Sequence, residues 1–198
     1  GAVPSRQFDI SKIDFDLLSR EFAHTRRKNL LLRDLDELVN QQLAKMLFAN
    51  PQRIDYYDRY QEIIDAYNAE QNRATIEKTF MDLMELASSL DTEQQRYVRE
   101  GFSSDEELSV YDLLFSENLT KQEIETIKKV SVDLLTKIKQ QIAKLDHWTD
   151  KQETKAIVDN LIRKTLWQEL PNSYDVSDIQ TYQKKIYEYV YMRYPEVA

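Results

Sequence analysis

The sequence predicts an all-α protein, an irregular multi-helix bundle of about eight or nine helices, on three observations. Apolar residues recur three and four positions apart almost throughout, which lines them along one face of a helix of about 3.6 residues per turn. Nothing alternates apolar with polar, as a half-buried strand would. The chain has only two glycines and four prolines, far below the ordinary usage of roughly 7% and 5%, so the tight turns that join strands are scarcely available. With 41% hydrophobic residues in 198, it can still bury a real core.

The elements follow in order. Phe15, Leu18 and Phe22 share a stripe of an opening helix; Leu31, Leu35, Leu38 and Val39 share another that continues to Met46 and Leu47. Asn50-Pro51 ends that helix, because the residue before a proline is pushed out of the helical region. Ile54, Tyr57, Ile63, Ile64 and Tyr67 form the next face, and after Asn72 come Ile76, Phe80, Leu83, Met84 and Ala87. Asp91 with Gln94 opens a short helix that Gly101 stops, since only glycine takes the left-handed conformation without Cβ strain. Ser104 with Glu107 starts a helix through Leu108 to Phe115. Thr120 with Glu123 is a capping box and Leu119 with Ile124 a hydrophobic staple, opening a long helix along Ile127, Leu134, Ile138 and Leu145. Thr149 and Gln152 open another, through Ile157, Leu161 and Leu166, that stops before Pro171. Ser177 and Gln180 open the last, with Ile179, Tyr182, Ile186 and Tyr189 inward and Pro195 closing it. No repeat and no linker divides the chain, so residues 1–198 are expected to form one helical domain, with Gly101-Phe102-Ser103-Ser104 the place for any seam.

Several chemistries are excluded. Gly1 and Gly101 are the only glycines, so neither a dinucleotide fingerprint nor a P-loop can be written. Without cysteine there is no disulfide, thiolate-bound zinc or cysteine nucleophile, which fits a reducing, intracellular setting. Glu153-Thr154-Lys155 matches the Glu-x-Lys of metal-dependent nucleases but sits in a helix opening rather than on a strand. Asp36-Glu37 lacks the strand and phosphate loop of a nucleotide-hydrolysing motor, and the sequon threonine of Asn118-Leu119-Thr120 is better explained as an N-cap. His24 and His147 cannot form a His-x-x-x-His pair. No run of about 18 apolar residues is present, so membrane insertion is not expected. The start, Gly1-Ala2-Val3, reads as a segment cut from a larger polypeptide.

Two clusters remain as binding candidates. The net charge of −8 repels a phosphate backbone over the whole molecule, so DNA contact would need a local patch, and Arg26, Arg27 and Lys28, with Arg33 nearby, form the densest one. The bland alternative is a solvated helix face. Tyr182, Tyr187, Tyr189, Tyr191 and Tyr194 crowd the last helix in more directions than one stripe can bury. Tyr187 and Tyr191, four apart, are left to face outward as anchors for a protein partner.

The stretch Asn50-Pro51-Gln52-Arg53-Ile54-Asp55-Tyr56-Tyr57, continuing from Tyr60 to Asn68, resembles the C-terminal region of the motor (R) subunit of type I restriction enzymes. The likeness continues in order through 108–115, Asn118-Leu119-Thr120, Leu145 to Lys151 and Leu170-Pro171, and spans most of residues 22–198. It implies a bacterial, cytoplasmic complex of methyltransferase, specificity and motor subunits that translocates DNA with ATP and cleaves it. The ATP, Mg and nuclease machinery implied for the parent subunit has no counterpart in these residues. The expectation is therefore a fragment with no cofactor and no enzymatic activity of its own, docking the motor onto the methyltransferase core; the alternative is a helical module that guides duplex DNA.

Overall fold

A computed structural model describes residues 10–197; the opening Gly1-Ala2-Val3 lies outside them. The described residues contain nine α-helices and no strand. They form two compact units, one ending at Arg96 and the other starting at Tyr97, each around its own apolar cluster.

In the first unit, α1 (Phe15–His24) is capped by Asp14, whose carboxylate accepts from the Leu17 amide at 3.0 Å. Its Phe22 ring stacks on Phe80 at 3.7 Å. The helices α2 (Lys28–Ala49), α3 (Ile54–Ala69) and α4 (Arg73–Gln94) complete the unit, with α4 packed against both α2 and α3. Val39 and Leu43 from α2 meet Phe80, Leu83, Leu86 and Leu90 from α4 in the buried centre. Asn50 serves two helices at once. Its amide donates to the Met46 carbonyl at 2.9 Å to end α2, and its side chain accepts from Gln52 at 3.1 Å to start a Pro-led 3₁₀ turn.

Two expectations for this unit are corrected. The inward stripe of α3 is Tyr56, Tyr60, Ile63, Ile64 and Tyr67, whereas Ile54 and Tyr57 lie off that stripe and are exposed. No helix starts at Asp91: α4 runs unbroken to Gln94, because Leu90 continues its buried stripe and Glu93 is held inside. Glu93 receives the Arg53 guanidinium at 3.1 Å, both side chains being almost fully buried, and Arg96 donates to both its oxygens at 2.9 Å. Burial pushes the Glu93 carboxyl up, but the hydrogen bonds and charges of Arg96 and Arg53 together outweigh it and hold the group below the usual carboxylate range.

The second unit starts in α5 (Arg96–Arg99), whose first residue closes the first unit. Gly101, at φ +85°, ends α5 as anticipated: its amide donates to Val98 and the Phe102 amide to Tyr97, the two bonds of a Schellman motif. Ser104 caps α6 (Asp105–Leu114), and Thr120 with Glu123 makes the capping box of α7 (Lys121–Ala143), the Glu123 carboxylate also accepting from the Ser173 hydroxyl. Leu119 and Ile124 pack on the core beside it. The remaining helices are α8 (Gln152–Glu169) and α9 (Val176–Arg193). Neighbours run α6 to α7, α7 to α8, α8 to α9 and α9 back to α6, so the four close a ring around Leu108, Leu134, Ile138, Val158, Ile162 and Ile186.

Three boundaries and one inward face differ from the sequence reading. Thr149 lies in a 3₁₀ turn, and α8 begins after Lys151. Asp175 with Asp178, not Ser177 with Gln180, forms the capping box of α9, the carboxylate two residues earlier being placed to bond the free amide. Leu145 falls beyond the end of α7. Ile157 is exposed, because Val158, Ile162 and Leu166 take the inward stripe of α8.

Thr120→Ala should cost about 1 kcal/mol of stability in urea denaturation, as loss of an N-cap usually does. Glu93→Gln removes the counter-charge from a buried guanidinium and should cost about 3 kcal/mol at neutral pH. Because the Glu93 carboxyl is depressed, its contribution is present above the ordinary carboxylate range and lost as pH falls through it. The gap between wild type and Glu93→Gln should therefore narrow when unfolding is repeated near pH 4.

Candidate functional site

The aromatic surface of the second unit is built on one buried indole. His147 takes a left-handed conformation, φ 45°, which turns the chain out of the α7 end and into the 3₁₀ turn that carries Trp148. Trp148 is fully buried. Its Nε1 donates to the Tyr194 carbonyl at 2.6 Å, and its own carbonyl accepts from the Thr154 hydroxyl at 2.6 Å, tying the turn to the end of α9 and the start of α8. Glu153-Thr154-Lys155 is thus the first turn of a helix, with Thr154 spent on this tie.

Tyr187 and Tyr191 stand edge-on against Trp148, at centroid distances of 6.0 and 5.8 Å, and 6.2 Å from each other. Tyr187 is therefore packed against the core and not free to face outward as expected, whereas Tyr191 keeps an exposed edge. Tyr187 is half-buried, and burial, then the Asp159 and Tyr191 charges, raise its hydroxyl pKa. Tyr191 is 39% exposed, so only its outer edge is offered. Tyr189 turns the opposite way into the core against Tyr194, whose hydroxyl donates to Glu106 at 2.7 Å.

Sequence reasoning passed over Trp167, which is 46% exposed on α8. A helical wheel finds it: with Val158, Ile162 and Leu166 inward, Trp167 falls on the outer face beside Asn160, flanked by Arg163 and Lys164. All three neighbours are exposed, and neither cation has a carboxylate partner among the described residues.

The basic cluster is not the helix face considered above. Arg26 and Arg27 lie in the connection between α1 and α2, and Lys28 opens α2. Lys28 is committed: its ammonium donates to the Phe22 carbonyl at 2.5 Å and sits 4.4 Å from the Phe22 ring centre, closing the end of α1. Arg26 and Arg27 are exposed and without a carboxylate partner among the described residues.

Elsewhere, Asp36 accepts from the Tyr60 hydroxyl at 2.6 Å, and exposed His147 lies 3.4 Å from Asp146 and 3.6 Å from Glu196. Among the described residues no three or more His, Asp or Glu side chains gather to hold a metal ion, and no helix is long and apolar enough to cross a membrane. Gly101, the one glycine among the described residues, terminates a helix.

Fold and surface together define an all-α, multi-helix segment that presents aromatic and cationic side chains. Residues 2–194 match the family described as type I restriction enzyme HindI endonuclease subunit-like, C-terminal, and the chain belongs to that family. It is thus the C-terminal region of a restriction endonuclease subunit, a component of a multi-subunit enzyme. No curated protein and no solved structure matches the chain.

Tyr187→Ala would leave a gap beside Trp148 and should cost about 3 kcal/mol with a shifted tryptophan emission. Tyr191→Ala, removing a ring that is already partly in water, should cost about 1 kcal/mol or less. Equal costs in a denaturation series would contradict this division of roles.

Proposed function

We propose that this region is a non-catalytic assembly module that docks the endonuclease subunit onto the methyltransferase and specificity subunits of its complex. The observation that carries the reading is that two large rings, Tyr191 on α9 and Trp167 on α8, are left 39% and 46% exposed on helices whose inner faces are packed. Aromatic rings and arginine carry most of the energy of protein interfaces, because they bury large area at modest entropic cost. Arg163 and Lys164 beside Trp167 add unpaired charge for an acidic partner surface. Tyr187 acts behind Tyr191 by fixing its ring, and the parent's ATP-driven translocation and cleavage belong to other parts of the subunit in a bacterial cytoplasmic complex. The alternative, a module that guides duplex DNA, is favoured by the unpaired Arg26 and Arg27.

A Tyr191→Ala/Trp167→Ala double variant should keep its helical circular-dichroism signal and lose about tenfold or more in capture by the purified methyltransferase–specificity core. The wild-type fragment in the same preparation should leave ATP and DNA unchanged. Normal capture by the double variant would remove the proposed anchors.

A further inference from the structure

The basic connection in the first unit forms one wall of a cavity. Residues 25–29 face residues 71–73 and Ile76, at the start of α4, across a concavity of about 450 Å³. Arg26, Arg27, Lys28 and Arg73 line it, and no Asp or Glu does. This concentration of positive charge stands out in a protein of net charge −8.

Most of the cationic groups are available. Lys28 is held by Phe22, as described, but Arg26 and Arg27 have no carboxylate partner among the described residues. Arg73 reaches Glu77 at 3.4 Å with its side chain 85% exposed, a pair that water and salt screen heavily and that a stronger anion can displace. The amides are less free. Asn72 caps α4 through the Thr75 amide at 2.9 Å and donates to Glu70 at 2.9 Å, which leaves Asn29, Gln71 and the Thr25 hydroxyl as the neutral side-chain donors on the wall. Guanidinium groups crowded around one concavity repel each other unless an anion sits between them. Their planar forks match the oxygens of a phosphate in a bidentate way that a lysine cannot.

We infer that Arg26, Arg27 and Arg73 form a phosphate-binding cradle in the first unit, one that holds a phosphoryl oxyanion without hydrolysing it. The phosphate comes either from the backbone of duplex DNA or from a free phosphate species. Both present the same oxygens, and contact through them is independent of base sequence. The cradle does not rest on the docking reading, whose rings lie on the second unit.

The test uses the full chain with two probes, a fluorescent mixed-sequence DNA duplex and inorganic phosphate followed by backbone amide shifts. In wild type the duplex should bind with a strong salt dependence. Arg26→Gln/Arg27→Gln/Arg73→Gln should weaken it about tenfold or more and lower the slope of log K against log salt by about three. Arg26→Lys/Arg27→Lys, which keeps charge and removes the fork, should retain the slope and lose part of the affinity. Saturable shifts at residues 26–29 and 72–73 with inorganic phosphate, lost in the triple variant, identify free phosphate as a ligand; binding of duplex alone identifies the backbone. Since these side chains are exposed, an unchanged helical signal should accompany every variant. Binding of both probes unaltered in the triple variant overturns the inference, as does failure of both to bind wild type. Loss of capture by the methyltransferase core without loss of either probe would assign the patch to an acidic protein and overturn it too.

Discussion

The second unit is organised around the hydrogen bond from the Trp148 indole to the Tyr194 carbonyl. A fully buried tryptophan must satisfy its N–H, and here the bond that does so joins the turn after α7 to the end of α9. That bond holds the end of α9 beside the indole, where Tyr187 and Tyr191 rest on it. Tyr187 and Tyr191 take the indole side; Tyr189, two residues from each, takes the opposite side with Tyr194. A surface ring that sits on a rigid indole loses little freedom on binding, which is the physical merit of placing a docking anchor there.

The first unit is held differently. Its most constrained polar group is Glu93, shared by a buried and a half-exposed arginine, so that the carboxylate stays charged inside the fold. Such a cluster ties the turn after α2 to the end of α4. The arginines at the other end of α4 and before α2 have no comparable partner, and charge that folding leaves unpaired is what an anion can use.

Local chemistry was legible from the sequence wherever one turn decided it. Gly101, Ser104 and Thr120 each terminate or start a helix as their residue types dictate. The family was legible too, from an ordered series of packing and capping residues. What failed needed tertiary information. Ile54 and Tyr57 fit a stripe as well as Tyr56 and Tyr60 do, and only packing against α4 selects between them. Asp175 and Ser177 are both good caps, so the boundary depends on where Leu170-Pro171 releases the chain. Trp148 could not be seen as the support of Tyr187 and Tyr191, because it is distant in sequence. Arg73 likewise joins Arg26 and Arg27 only through the fold. Trp167 was within reach, since its wheel position alone puts it outside.

The docking claim is tested most directly by backbone hydrogen exchange of the chain, free and bound to the assembled methyltransferase–specificity core. The account predicts new protection along the outer face of α8 around Trp167 and at the end of α9 around Tyr191, with residues 25–29 protected only when duplex or phosphate is added. A stable complex that leaves both α8 and α9 exchanging as in the free chain would contradict it.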